Sequence, residues 1–158
     1  MEENYIAILI QSLEKKISVL EEISRENKRQ REVLQEADLD PDAFQATADR
    51  KEQLIEQVGF LDDGFEKMYA RVKDALQEEK QAYKQEITQL KELIVKVTEL
   101  TMTVQKEEWD NRNLAEQQFS NSKKKVRQMK DTKRVARQYY KNMAKLNYVD
   151  PQFMDKKK

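Results

Sequence analysis

The chain has 158 residues, 38% charged and 38% apolar, with a mean hydropathy of −0.99 and no formal net charge. Two glycines, two prolines and no cysteine leave too little turn punctuation for a sheet-rich fold, and nothing for a disulfide framework, a thiol nucleophile or a thiolate zinc site. Histidine is absent as well, which removes the commonest general base, the commonest metal ligand and the Glu-x-x-His chemistry of carboxylate bundles; no enzymatic activity, cofactor or metal is expected.

What such a polar chain can do is place one apolar stripe on each of several long helices. The expectation is an all-α fold, an elongated antiparallel helical bundle or coiled coil of about three long helices, forming a single domain over 1–158.

The first helix is expected over 3–37. Ile6, Ile10, Leu13, Ile17 and Leu20 recur at steps of four and three, which marks one face. In the same register the seam continues through Ser24, Asn27 and Arg31 to Leu34, so its second half is expected to pack less tightly or to sit near a bundle end. Asp38-Leu39-Asp40-Pro41 is the clearest boundary. Asp40 can accept a backbone N–H as a cap, Pro41 suits the first helical position, and Asp42 suits the positive end of the helix.

The second helix is expected over 41–77. Phe44, Lys51, Ile55, Val58, Phe65, Tyr69, Val72 and Leu76 lie near one stripe, widened by Leu54, Leu61 and Met68. Gly59 and Gly64 suggest either a close helix–helix approach or a bend near Asp62-Asp63-Gly64. A break is placed at 78–83 because three antiparallel helices bury their stripes better than one rod.

The third helix is expected over 84–146, with 105–125 as the place for a break. Ile87, Leu90, Ile94, Val97, Thr101 and Val104 keep the seam; then Glu108, Asn111, Gln118 and Ser122 stand where apolar side chains belong. A second apolar block follows: Val126, Met129, Ala136, Tyr139, Tyr140, Met143 and Leu146. Asp150-Pro151 ends any helix, and 150–158 is expected to be a flexible tail.

That block lies in basic surroundings. From Ser120 to Lys158 there are 13 Lys/Arg against three acids, while residues 1–119 hold 17 basic and 27 acidic side chains. Lys/Arg with Tyr139 and Tyr140 could meet nucleic acid, but a sequence pI near 6.5 and apolar residues kept in helical register argue against it. Paired acids such as Glu78-Glu79 and Glu107-Glu108 belong to solvated helix faces, and no phosphate-binding glycine loop exists. Met and Tyr suit a surface that repacks against another chain. The seven residues of the block are therefore the candidate partner-binding set, with docking onto the acidic helices as the alternative.

No apolar run approaches the roughly 18–20 residues of a membrane span, and Ile6–Ile10 is too short for a signal-peptide core. A cytoplasmic location without membrane insertion is expected.

Several segments carry a resemblance. Lys51-Glu52-Gln53-Leu54-Ile55, then Phe60-Leu61-Asp62-Asp63-Gly64-Phe65 and Met68-Tyr69, resemble a segment of short FlgN-type flagellar export chaperones. Leu90 to Leu100 is similar to the same group, and Glu108 to Asn113 more loosely so. The ending, Tyr139-Tyr140-Lys141-Asn142-Met143 and then Phe153 to Lys158, also resembles it. The likeness runs from about residue 5 to 158. It implies a cytosolic chaperone of the flagellar type III export system that holds terminal helical segments of FlgK- and FlgL-like hook–filament junction proteins and delivers them to the export gate. The alternatives are a self-associating coiled-coil scaffold, hence a homo-oligomer, and a FliT- or FliS-like export chaperone with another client.

Overall fold

A computed structural model describes residues 2–121 and, beyond them, Arg137. Three helices make up the described chain: α1 (Glu2–Gln35), α2 (Pro41–Glu78) and α3 (Lys84–Asn121). Each spans about 50–57 Å at 1.5 Å per residue. Among the described residues there is no strand.

Local chemistry starts α2. Asp40 is extended (φ −85°, ψ 111°), and its carboxylate accepts the Asp42 N–H at 3.0 Å and the Ala43 N–H at 3.4 Å. Pro41 gives up no hydrogen bond there, because first-turn N–H groups lack intrahelical partners. The far end of α1 is closed from another helix: Gln118 Nε2 donates to the Leu34 carbonyl at 2.8 Å and to the Glu36 carbonyl at 3.1 Å. A side chain at a polar gap in the seam of α3 thus satisfies the orphan carbonyls of α1.

Partner numbers give the topology. Between α1 and α2 they run in opposite senses: Tyr5 with Arg71, Lys16 with Asp62, Asn27 with Lys51, Gln30 with Thr47. Between α1 and α3 they rise together, Ser24 with Glu107, Asn27 with Asn111 and Leu34 with Gln118. The bundle is up-down-up, sequence neighbours are antiparallel, and α1 packs along both other helices.

The apolar seams fill two separate cores. The larger runs from Ile6, Leu9 and Leu90 at one end to Ile23, Leu54 and Val104. The smaller, at the other end, comprises Leu34, Leu39, Phe44, Ala115 and Phe119, with the Phe44 and Phe119 rings edge to face at 5.9 Å between centroids.

Three details differ from the sequence reading. The second half of α1 is not loose: Asn27 and Gln30 are fully buried, and Gln30 rather than Arg31 occupies the inward position. The glycines admit no close neighbour. The helix runs through both, and a Cβ built at either would meet nothing within 4 Å. Finally, α3 passes unbroken through 105–121, because its polar residues there are inside the bundle and bonded.

Candidate partner-binding site

The polar interruptions of the three seams coincide in space. Lys51 of α2 is completely buried, and its ammonium donates to Glu108 Oε1 at 2.6 Å, Gln30 Oε1 at 2.6 Å and Asn27 Oδ1 at 2.9 Å. Three acceptors thus meet the three N–H donors of the ammonium. Asn111 Nδ2 donates to the Asn27 carbonyl at 2.9 Å and to Gln30 Oε1 at 3.2 Å. Gln30 Nε2 donates to the Thr47 hydroxyl at 3.1 Å, and that hydroxyl donates to the Phe44 carbonyl at 2.6 Å. Burial pulls the Lys51 ammonium down from its ordinary 10.5 to about 8, and the Glu108 carboxylate only partly restores it. This layer separates the two apolar cores. It is closed to solvent, so its chemistry is structural.

The outer surface carries the binding candidates. On the α1–α2 side, Phe60 is 82% exposed and stands over a trough of about 500 Å³. Val19, Leu61 and the stem of Lys15 line it, and a smaller, more enclosed hollow of about 210 Å³ continues it past Ile8 to Met68. Gly64 lies in that hollow, and with no side chain there the floor stays open beside Phe60. Beneath, α1 and α2 are tied by Ser12 Oγ donating to the Leu61 carbonyl at 3.5 Å and by the Lys16–Asp62 ion pair at 2.6 Å. The Asp62 carboxyl is pushed above its ordinary range, chiefly by burial; Lys16 opposes this, and the nearby charges of Glu66 and Asp63 reinforce it. The charged residues that line the trough are Glu14 and Lys15, both from α1.

A second apolar set lies on α3. Val95, Met102 and Trp109 are exposed and spaced by seven, so they form a stripe one residue wide. Lys96, Glu99, Lys106 and Asp110 flank it with balanced charge.

The sequence-derived partner set, Val126, Met129, Ala136, Tyr139, Tyr140, Met143 and Leu146, lies outside the described residues. Sequence periodicity missed the Phe60 trough because Phe60 falls off the α2 stripe. The available signal was a large aromatic residue between two glycines on the polar side of an amphipathic helix. Among the described residues no helix is long and apolar enough to cross a membrane.

The family model described as FlgN protein matches residues 1–147 of the chain. No curated protein and no solved structure matches it.

Proposed function

The chain belongs to the FlgN family of flagellar export chaperones, and from this premise we infer that it holds terminal helical segments of FlgK- and FlgL-like hook–filament junction proteins in the cytoplasm and hands them to the export gate. It does so without catalysis, as one helical chaperone domain whose client-binding strip is Val126, Met129, Ala136, Tyr139, Tyr140, Met143 and Leu146.

One observation carries the reading. The three described helices already cover their seams with one another, while the sequence holds a further strip of apolar residues at helical spacing that these helices do not need. Such a strip fits the helix-in-groove mode, in which an amphipathic segment supplies apolar anchors at intervals of three and four. Met129 and Met143 adapt to more than one client surface, and Tyr139 and Tyr140 offer an apolar body with a polar tip.

The test is a pull-down with the terminal helical segment of a FlgK-like protein. Met129→Asp combined with Met143→Asp is expected to abolish capture, since interface affinity rests on a few buried anchors. Full capture by the double variant would remove the strip from the mechanism. A second reading, a self-associating coiled coil, is favoured by the heptad-spaced stripe Val95, Met102 and Trp109. A strict monomer in sedimentation of the full chain would eliminate it.

A further inference from the structure

We propose that the α1–α2 trough around Phe60 is the resting dock of the chain's own apolar strip at 126–146, which a client must displace.

Charge is the first argument. The residues up to 119 carry ten more acids than bases, and those from 120 onward carry ten more bases than acids. Glu14 and Lys15, the charged residues that line the trough, offset each other, while the exposed Glu56 and Asp63 stand one helical turn either side of Phe60. A basic segment with apolar residues at helical spacing complements an apolar trough set in the acidic part of the chain, with the Glu56 and Asp63 carboxylates beside Phe60. The stripe on α3 offers neither concavity nor net charge.

Reach is the second. The α1–α3 pairs keep an almost constant offset, Ser24 with Glu107 and Leu34 with Gln118, so Asn121 stands level with the first residues past α1. Lys15, at the middle of the trough, is then about 35 Å back along the bundle axis. After a reversal, the 22 residues from Asn121 to Met143 span about 33 Å as helix and about 75 Å when extended. As helix throughout, the 22 residues fall just short of Lys15, so the reach requires that the residues crossing the turn run extended.

Chemistry is the third. Phe60 at 82% exposure, with Ile8 at 43% nearby, is costly to leave in water, and apolar troughs of this size are where amphipathic segments dock. Intramolecular docking acts at an effective concentration in the millimolar range, so weak contacts suffice and a client of ordinary affinity can still compete. The regulatory consequence rests on the strip being the client-binding element; the docking itself does not.

The experiment uses the full chain, which has no cysteine, so an introduced pair reports alone. Gln57→Cys with Met143→Cys, under mild oxidation, is expected to form a disulfide within one chain at a rate independent of protein concentration. That rate should exceed the one for Met102→Cys with Met143→Cys by at least about tenfold, and should fall in about 1 M salt, where charge attraction is screened. Adding Phe60→Asp, at a position open to solvent, should slow it to the level of the Met102 pair. Faster bonding to Met102→Cys, bonding only between differently tagged copies, or no response to Phe60→Asp would each overturn the proposal. Client capture is a separate readout. A chain that cross-links as expected but captures no junction-protein segment keeps the dock and loses the client reading; capture without cross-linking does the reverse.

Discussion

Removing one partner of the Lys51–Glu108 pair should nearly unfold the bundle, whereas removing both should be tolerated. In Glu108→Leu the fully buried ammonium keeps the carbonyl oxygens of Gln30 and Asn27 but has lost the carboxylate 2.6 Å away. A buried charge stripped of its counter-charge costs about 3–5 kcal/mol. Lys51→Met leaves the Glu108 carboxylate in the same position and should cost a similar amount. Against a total stability of about 5–15 kcal/mol, either loss is a large fraction. The double variant Lys51→Met with Glu108→Leu removes both charges of the pair together. Gln30 Oε1 still accepts from Asn111 at 3.2 Å, so Asn27 Oδ1 is the acceptor most exposed to loss, at about 1–3 kcal/mol. Apolar replacement of a buried pair is often neutral or stabilising, which offsets much of this. The double variant should therefore sit within about 2 kcal/mol of the parent, which with the single losses implies a coupling of at least about 4 kcal/mol between the sites. Urea titration followed by far-ultraviolet circular dichroism measures it; at a slope of about 2 kcal/mol per molar, each single variant should lose roughly 2 M in midpoint. Single variants each costing under about 1 kcal/mol, with a double variant equal to their sum, would refute the claim that the layer is dry and mutually dependent.

The same lysine gives a pH dependence of definite sign. Its folded value of about 8 lies below the ordinary 10.5, so between these values the unfolded chain binds more protons than the folded one. Stability should then rise with pH across that window, by up to about 3 kcal/mol, and the rise should vanish in Lys51→Met; parallel urea titrations from neutral to alkaline pH compare the two. Gly59→Ala should raise the urea midpoint by an amount equivalent to roughly 0.5–1 kcal/mol, since the helix is regular there and the added Cβ meets nothing within 4 Å. Phe44→Ala should cost about 3–5 kcal/mol, because the ring is fully buried against Phe119 and the small core has little else to close around the void. A thermal melt of that variant checks it, and a loss below about 1 kcal/mol would mean that this end of the bundle repacks freely.

The helical class and the large core were legible because they rest on local, periodic signals. Leu13, Leu20, Leu90, Ile94 and Val97 could be placed on seams by spacing alone, and Asp40-Pro41 announces a helix start through chemistry confined to three residues. The polar layer was not legible, because each of its members looks like a defect when one helix is read at a time. Lys51 in the α2 stripe, Asn27 in the α1 seam, and Glu108 and Asn111 in the α3 seam make sense only together, and their partners lie 21 to 84 positions apart. Three seams that each turn polar over one or two turns are the signature that was available. The trough was missed for the opposite reason: a core-seeking reading discards an aromatic residue on the polar face, and Phe60 is such a residue.

The layer also explains why a bundle with such plain apolar seams holds one register. Leucine and valine seams of this kind are nearly self-similar under a shift of one turn, so apolar burial alone distinguishes poorly between neighbouring registers. Sliding α3 by one turn against α1 and α2 would carry Glu108 about 5.4 Å from the Lys51 ammonium and take the Asn111 amide off Asn27 and Gln30. Such a slip therefore leaves a buried charge without its counter-charge, at a cost that is a large fraction of the stability of the domain. Register in turn fixes what the outside displays. Because α1 and α2 are locked at Asn27 and Lys51, Lys15 and Val19 are held opposite Phe60 and Leu61, and the trough exists only in that alignment. A buried cluster that touches no partner thus determines whether there is a surface for one. It follows that variants of Lys51 or Glu108 that still fold should change the cross-linking between Gln57→Cys and Met143→Cys more than their stability alone accounts for.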